Sequence, residues 1–450
     1  MSSLSAKISE YFCKMIYDDI PQEKIEDIKR LTLDYLGVAC KGSSTVSGRI
    51  AIEYVISQRS QARATIIGSE RKAVPMLAAF ANAISSHSIE LDDVDDLALY
   101  HFSPSILSAA LAIGEQMNTS GRDLLTAIYA GCEMMARLSN ALNPSLRNRG
   151  FHTTPVCGIF GATVSAGLLL RLEKAEMKNA LGLAGAQCSG LMEFYGESLQ
   201  KRFNPGPAAR NGIVATEMAK LGYTGSEEIF EGKRGLLKAF SDNPDETKLT
   251  ESLGEVFPVF IDFKPYACAR PIHNGIDCAL AIRKDYSPKV HDIQNITIYR
   301  HPDWVNFHLI YNPKNINEAQ VSLPFSVAVA LKEGGAFLDQ YDDQFLTDPD
   351  IKKIMDKIRI EVDPELPRGV SCLMTVETRK GETYETQVDY AKGSKRNPIT
   401  DEELIEKFKE LSTSLIGTAL MNRVIDTVLS LDGIHSIEDL TKHLRKGHSK

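Results

Sequence analysis

Tryptophan is nearly absent from this 450-residue chain: there is one, Trp304, and aromatic residues make up 7%. That leaves few rings to line a cavity for a carbocation. No C-x-x-C occurs among the eight cysteines, at 13, 40, 132, 157, 188, 268, 278 and 372, and no Cys/His set has zinc spacing. So many unpatterned thiols fit a reducing compartment, and a cytoplasmic location is expected. The chain lacks G-x-x-x-x-G-K-[ST], a G-x-G-x-x-G after a strand, H-E-x-x-H and G-x-S-x-G, so a nucleotide cofactor, a zinc hydrolase and a serine hydrolase all lose support. Excess positive charge is lacking as well. The net charge of −8 and pI of about 5.8 argue against a general affinity for nucleic acid or anionic membrane. Long apolar runs are missing. The longest uncharged run, Gly150–Leu170, holds about 16 mostly apolar residues from Pro155 onward, short of the roughly 20 that span a bilayer. The first residues have no signal-peptide apolar core. No repeat or low-complexity tract is present.

What is present reads as a globular protein, 43% apolar and 24% charged, with length for two or three domains. Apolar residues recur at helical spacing over Pro21–Leu36, Val74–Ile84, Pro104–Met117, Leu124–Leu138, Pro155–Leu172, Lys174–Ala184 and Ala208–Leu221. Ser120-Gly-Arg-Asp123 resembles a helix N-terminus. Gly158, Gly161, Ala162, Ala166 and Gly167 predict a buried helix closely approached by its neighbours. After about Lys264 the pattern changes. Ile293–Ile298, Ile358–Val362, Val370–Glu377 and Glu382–Val388 are strand-like, the last two joined by Arg379-Lys-Gly381 as a hairpin. One helix is expected over Ile316–Lys332, and Thr400-Asp-Glu-Glu403 forms a capping box that reopens helical structure. The expectation is a mainly α protein: an all-helical domain over 1–265 and 398–450, with a smaller α+β domain over 266–397 inserted in it.

Four stretches carry chemistry. Glu90-Leu-Asp-Asp-Val-Asp-Asp96 packs five carboxylates into seven residues and leads to His101. Carboxylates so close repel unless a cation, a basic side chain or a proton lies among them. Asp92–Asp96 satisfies the D-D-x-x-D pattern by which class I isoprenoid synthases hold Mg²⁺ on a helix. The second metal motif of those enzymes is absent, and a solvated acidic loop is the plain alternative. In Gly150-Phe-His-Thr-Thr-Pro155 a histidine, His152, precedes a helix start, close to unpaired backbone N–H groups that suit an anion. Lys201 and Arg202 are adjacent cations in a loop before the helix at Ala208, suited to carboxylate or phosphate or to plain solvation. Phe263–His273 carries Lys264, Arg270 and His273 at the expected domain boundary, where ligand clefts are common. Together they point to acid–base chemistry on a small anion.

These segments, in this order, resemble the MmgE/PrpD family, which includes 2-methylcitrate dehydratase, cis-aconitate decarboxylase and iminodisuccinate epimerase. The marks are His87-Ser-Ile-Glu-Leu-Asp-Asp93, His101 followed by Ser108-Ala-Ala-Leu-Ala-Ile-Gly-Glu115, Gly150-Phe-His152, and Lys201-Arg-Phe-Asn-Pro-Gly-Pro-Ala-Ala209. Gly222-Tyr-Thr-Gly225 with Phe230-Glu-Gly232, Lys264-Pro-Tyr266 with Arg270 and His273, and Val321-Ser-Leu-Pro-Phe325 complete the set. The resemblance implies a helical domain with an α+β lid, a homodimer, an interdomain active site and no metal or organic cofactor. It places active-site positions at Glu90, Val94, His101, His152, Lys201 and Phe325, with Asp93, Lys264, Arg270 and His273 nearby. In the animal cis-aconitate decarboxylases Asp, Thr and Tyr stand where this chain has Glu90, Val94 and Phe325. Val94 and Phe325 each remove a hydroxyl, at a cost on the order of 1–3 kcal/mol where a site is built around such a donor.

The expected roles follow. Lys201, Lys264 and Arg270 bind substrate carboxylates, His101 and His152 transfer protons, and Glu90 or Asp93 orients a histidine. Lys201 is the alternative base. The expected activity is a lyase on a small hydroxy-di- or tricarboxylate, 2-methylcitrate dehydratase-like or aconitate decarboxylase-like. A dicarboxylate epimerase is second, and a non-catalytic carboxylate-binding helical protein is third.

Overall fold

The computed structural model describes residues 3–95, 100–194, 196–367 and 369–445. Asp96 of the acidic run lies outside the described residues. Mainly helical structure with one small mixed sheet is what the backbone shows. The chain separates into two compact units, one formed by described residues within 1–88, 98–261 and 400–450, the other within 89–97 and 262–399. Residues 89–95, 262–265 and 398–399, read from sequence as part of the helical domain, group with the second unit.

The first unit contains α1 (Gln22–Gly42), α2 (Pro75–Ser86), α3 (Ser103–Met117), α4 (Gly121–Leu142), α5 (Thr153–Leu169) and α6 (Pro205–Lys220). Ser120 starts α4 as expected: its Oγ accepts from the Asp123 amide at 3.2 Å. α5 is the hub, buried at all but one of its seventeen positions. Its small residues explain why. A methyl group on Gly161 would lie 2.7 Å from the Gly131 carbonyl of α4, and one on Gly212 of α6 would lie 2.7 Å from Ala162. Two helices thus approach α5 closely enough to bury it, which contact with larger residues would prevent. Among the described residues no helix is long and apolar enough to cross a membrane. The C-terminal helix Asp401–Leu429 begins at the expected capping box, with Thr400 Oγ1 accepting from the Glu403 amide at 3.2 Å and Glu403 Oε2 from the Thr400 amide at 2.8 Å. Gly417, at φ +71°, interrupts it.

The second unit holds α7 (His273–Tyr286), β1 (Ile293–Arg300), α8 (Leu323–Glu333), β2 (Ile358–Val362), β3 (Cys372–Thr378) and β4 (Thr383–Val388). The sheet order is β2-β1-β3-β4, with β1–β2 parallel and the other pairs antiparallel. Ile296 and Ile298 of β1 pair with Ile358 and Ile360 on one side and with Val376 and Met374 on the other. The hairpin turns at Gly381, φ +82°, a conformation glycine adopts without strain. α7 packs on β3, β4 and α8.

Three local expectations are corrected. Ile316–Lys332 is two helices, Ile316–Ala319 and α8. Pro324 has no N–H to donate to the carbonyl four residues back, so a continuous helix is broken and Pro sits in the first turn of a new one, and Ser322 Oγ caps the new start by accepting from the Phe325 amide at 3.1 Å. Lys201 and Arg202 lie on a short helical turn, Gln200–Phe203, and α6 begins at Pro205. The described part of the acidic run is neither helical nor solvated: Glu90, Asp92, Asp93 and Asp95 are buried. D-D-x-x-D holds Mg²⁺ from a helix face, and Asp92 and Asp93, the described part of that pattern, are not helical.

Candidate active site

In the first unit three imidazoles gather. His87 caps the C-terminus of α2, His101 lies two residues before α3, and His152 caps the N-terminus of α5. The His87 ring is 4.9 Å from that of His101 and 6.0 Å from that of His152, while Phe194 stands 5.2 Å from His152 on an edge. All three histidines are buried. Backbone bonds set them in place. The His152 amide donates to the Gly190 carbonyl at 2.9 Å, and the His101 amide donates to Thr154 Oγ1 at 3.2 Å. Gly190 is required there, since a Cβ would lie 2.4 Å from Pro155 Cγ.

The tautomer of His152 follows from its neighbour. Asn204 Nδ2 lies 3.0 Å from His152 Nδ1 and also points at the Leu191 carbonyl. An amide nitrogen only donates, so Nδ1 is the acceptor and the ring proton sits on Nε2. Burial, then the nearby His87, His101, Lys201 and Arg147, hold the His152 pKa well below the usual histidine value. So held, the neutral ring presents its Nε2–H as a hydrogen-bond donor, while its one basic nitrogen, Nδ1, is taken by Asn204. Lys201 is partly exposed on its helical turn. Arg202 is buried and donates to the His87 carbonyl at 3.3 Å, which braces the cluster.

In the second unit the charges are of the other kind. Val94 and Asp262 exchange two backbone hydrogen bonds, at 2.9 and 3.0 Å, which set the acidic run beside residues 262–264. Lys264 Nζ then lies 3.5 Å from Glu90 Oε2 and 3.8 Å from Asp92 Oδ1, with all three side chains at most 2% exposed. Glu90 has φ +57°, a conformation that costs a non-glycine residue energy and that clusters at functional sites. Asp93 is fully buried next to them in sequence. Arg270 Nη1 donates to the Lys392 carbonyl at 2.8 Å and to His273 Nδ1 at 3.2 Å, and His273 Nε2 is 3.3 Å from the Cys268 carbonyl. A guanidinium only donates and a carbonyl only accepts, so His273 is held neutral with its proton on Nε2. Both its nitrogens are used within the protein, which makes it a brace for Arg270. Phe325 is buried on α8, its ring 6.0 Å from that of Tyr341.

The first unit thus brings His101 and His152 together with Lys201 and Arg202 nearby in the chain. The second brings Glu90 to Lys264, and Arg270 to His273. The sequence reading missed His87, Asn204 and the pairing of Asp92 with Lys264. His87 and Asn204 lie inside motifs quoted for the resemblance; their role as ring neighbour and tautomer lock becomes visible only when α2, α5 and α6 are folded together.

The helical unit holds an imidazole cluster, and the mixed-sheet unit holds a buried lysine–carboxylate cluster. Residues 6–248 match the MmgE/PrpD N-terminal domain and residues 266–431 the MmgE/PrpD C-terminal domain, and the chain belongs to the MmgE/PrpD family. It is 27% identical to the cis-aconitate decarboxylase-like protein oryM of Aspergillus oryzae, over 97% of this chain and 96% of that one. It is 27% identical to a cis-aconitate decarboxylase of Aspergillus terreus (98% and 96% covered) and 26% identical to that of Homo sapiens (94% and 90%).

Proposed function

We propose that this chain is a lyase acting on a small hydroxy-di- or tricarboxylic acid, by dehydration or decarboxylation, through His/Lys acid–base catalysis without a metal or organic cofactor. The observation that carries the reading is the neutral, tautomer-locked His152 within a cluster of buried imidazoles. The names of the relatives favour an acid of the aconitate class. In dehydration, His101 takes the proton from the carbon beside a carboxylate, the C=C bond forms, and the β-hydroxyl leaves as water after receiving that proton back from His101, while His152 Nε2–H donates a hydrogen bond to the departing oxygen. In decarboxylation, CO₂ departs, and the carbanion left behind takes its proton from an imidazolium. Both routes place negative charge next to a carboxylate. Lys201, Lys264 and Arg270 are assigned to hold that charge, with Glu90 or Asp93 orienting an imidazole. The substrate is expected to bind to a homodimer in the cytoplasm.

Epimerisation of a dicarboxylate is the second reading. It is favoured by Val94 and Phe325, which offer no hydroxyl to assist a leaving group.

Incubation with candidate acids in D₂O, followed by NMR, separates these. An alkene with one carboxylate fewer supports decarboxylation, and an alkene retaining all of them supports dehydration. Deuterium at carbon without net conversion points to epimerisation. Binding of the acids with no change to any of them would overturn catalysis altogether.

A further inference from the structure

The second unit holds a cavity of about 800 Å³ at the C-terminal end of α7. Leu280, Arg283, Lys284 and Ser287 line it, at the i, i+3, i+4 and i+7 spacing that puts residues on one helix face. Ser287, at φ +48°, ends the helix, and the chain turns so that Lys289 and His291 line the same cavity. None of the described residues lining it is acidic, in a protein whose net charge is −8. Its cations are of two kinds. Arg283 is engaged: Nη1 donates at 2.6 Å to the Leu331 and Lys332 carbonyls, which covers the negative C-terminal end of α8. Ser287 Oγ donates to the Arg283 carbonyl at 3.0 Å and covers the end of α7. Lys284 and Lys289 are exposed, and neither makes an ion pair or side-chain hydrogen bond among the described residues. Asp292, the acid next to His291, lies 3.6 Å from His291 Nε2 and 3.9 Å from Lys380 Nζ. Two positive charges are therefore left over at one cavity, and Leu280 and Leu331 give it an apolar side. Its volume is that of sites for whole organic ligands, well beyond one inorganic phosphate.

We propose that this cavity binds a multiply charged organic anion of about nucleotide size, its polyphosphate or polycarboxylate head held by Lys284 and Lys289 and its body against Leu280 and Leu331. The site is separate from the Arg270–His273 pair. His273 starts α7 and Ser287 follows its last residue, which puts them roughly 20 Å apart at 1.5 Å per residue. The inference does not rest on the lyase reading.

The test measures binding of ATP and of citrate to the full chain by calorimetry, without added metal. Four proteins are compared: the wild type, Lys284→Ala/Lys289→Ala, Lys284→Arg/Lys289→Arg, and Lys314→Ala, which removes an exposed lysine elsewhere in the same unit. The wild type is expected to bind at least one of the two anions with a Kd below about 1 mM. The double alanine variant should weaken that binding about tenfold or more, the sum of two partly exposed charge contacts. The double arginine variant, which keeps both charges, and Lys314→Ala should each stay within about threefold of the wild type. Preference for ATP identifies a polyphosphate head, and preference for citrate a polycarboxylate one. A wild type that binds neither anion overturns the inference. So does binding that is as tight in the double alanine variant as in the wild type, because the anion then sits elsewhere. An equal loss in Lys314→Ala also overturns it, since the effect is then one of overall charge and not of this cavity.

Discussion

The helical unit gathers imidazoles, and the sheet-bearing unit gathers carboxylates around a lysine. The two clusters solve opposite electrostatic problems. His87, His101 and His152 are buried bases, and burial of a base favours its uncharged form; His152 is accordingly held neutral and needs no counter-charge. Glu90 and Asp92 are buried acids, and a buried carboxylate without a partner is costly, so Lys264 lies between them. The difference teaches that burial alone suffices to keep a base uncharged, whereas buried acids are placed against a cation. The imidazole side holds His152 uncharged, whereas the carboxylate side places Lys264 between its acids.

Removing that cation is the strongest way to break the comparison. Lys264→Ala leaves two buried carboxylates without their shared partner and should lower the unfolding free energy by about 3–5 kcal/mol in urea titrations. A loss below about 1 kcal/mol would mean that the carboxylates are neutralised by other means, and the contrast between the units would fail. Next in size, His101→Ala and His152→Ala should each reduce turnover by at least about 10²-fold while leaving urea midpoints near that of the wild type. Normal rates in both would move proton transfer to Lys201.

The smallest effect is in pH dependence. The folded state holds His152 neutral, with its pKa below the 6.5 of an ordinary histidine, so below that pH the unfolded chain binds a proton that the folded chain refuses. The stability contribution is therefore present above pH 6.5 and is lost as pH falls toward the depressed pKa. Urea midpoints should drop on acidification from pH 7 to 5.5, and His152→Asn should flatten that drop. An identical slope in the variant would show that His152 is not what acidification works against.

Much of the backbone was legible. The Ser120 and Thr400 caps, the hairpin at Gly381 and the small-residue helix α5 follow from local rules: capping, left-handed turn geometry and close approach of glycines. Where legibility failed, a competing local effect or a long-range contact decided. Pro324 and Ser322 split a helix whose apolar spacing looked continuous. For the acidic run a solvated loop stayed open as an alternative, because its shielding comes from Lys264, 174 positions after Glu90, through the Val94–Asp262 bridge. The site residues were readable as types, His before a helix and cations near a boundary, but their partners were not. Nothing near Asn204 in sequence marks it as the donor to His152.

The sequence by itself determined the helical framework, the sheet strands and the family, since periodicity, caps and ordered motifs are properties of short stretches and their order. Tertiary structure alone decided protonation and pairing. Those depend on burial and on distances of a few ångströms between side chains that lie far apart along the chain, where the local dielectric and the neighbouring charge set which atom carries the proton.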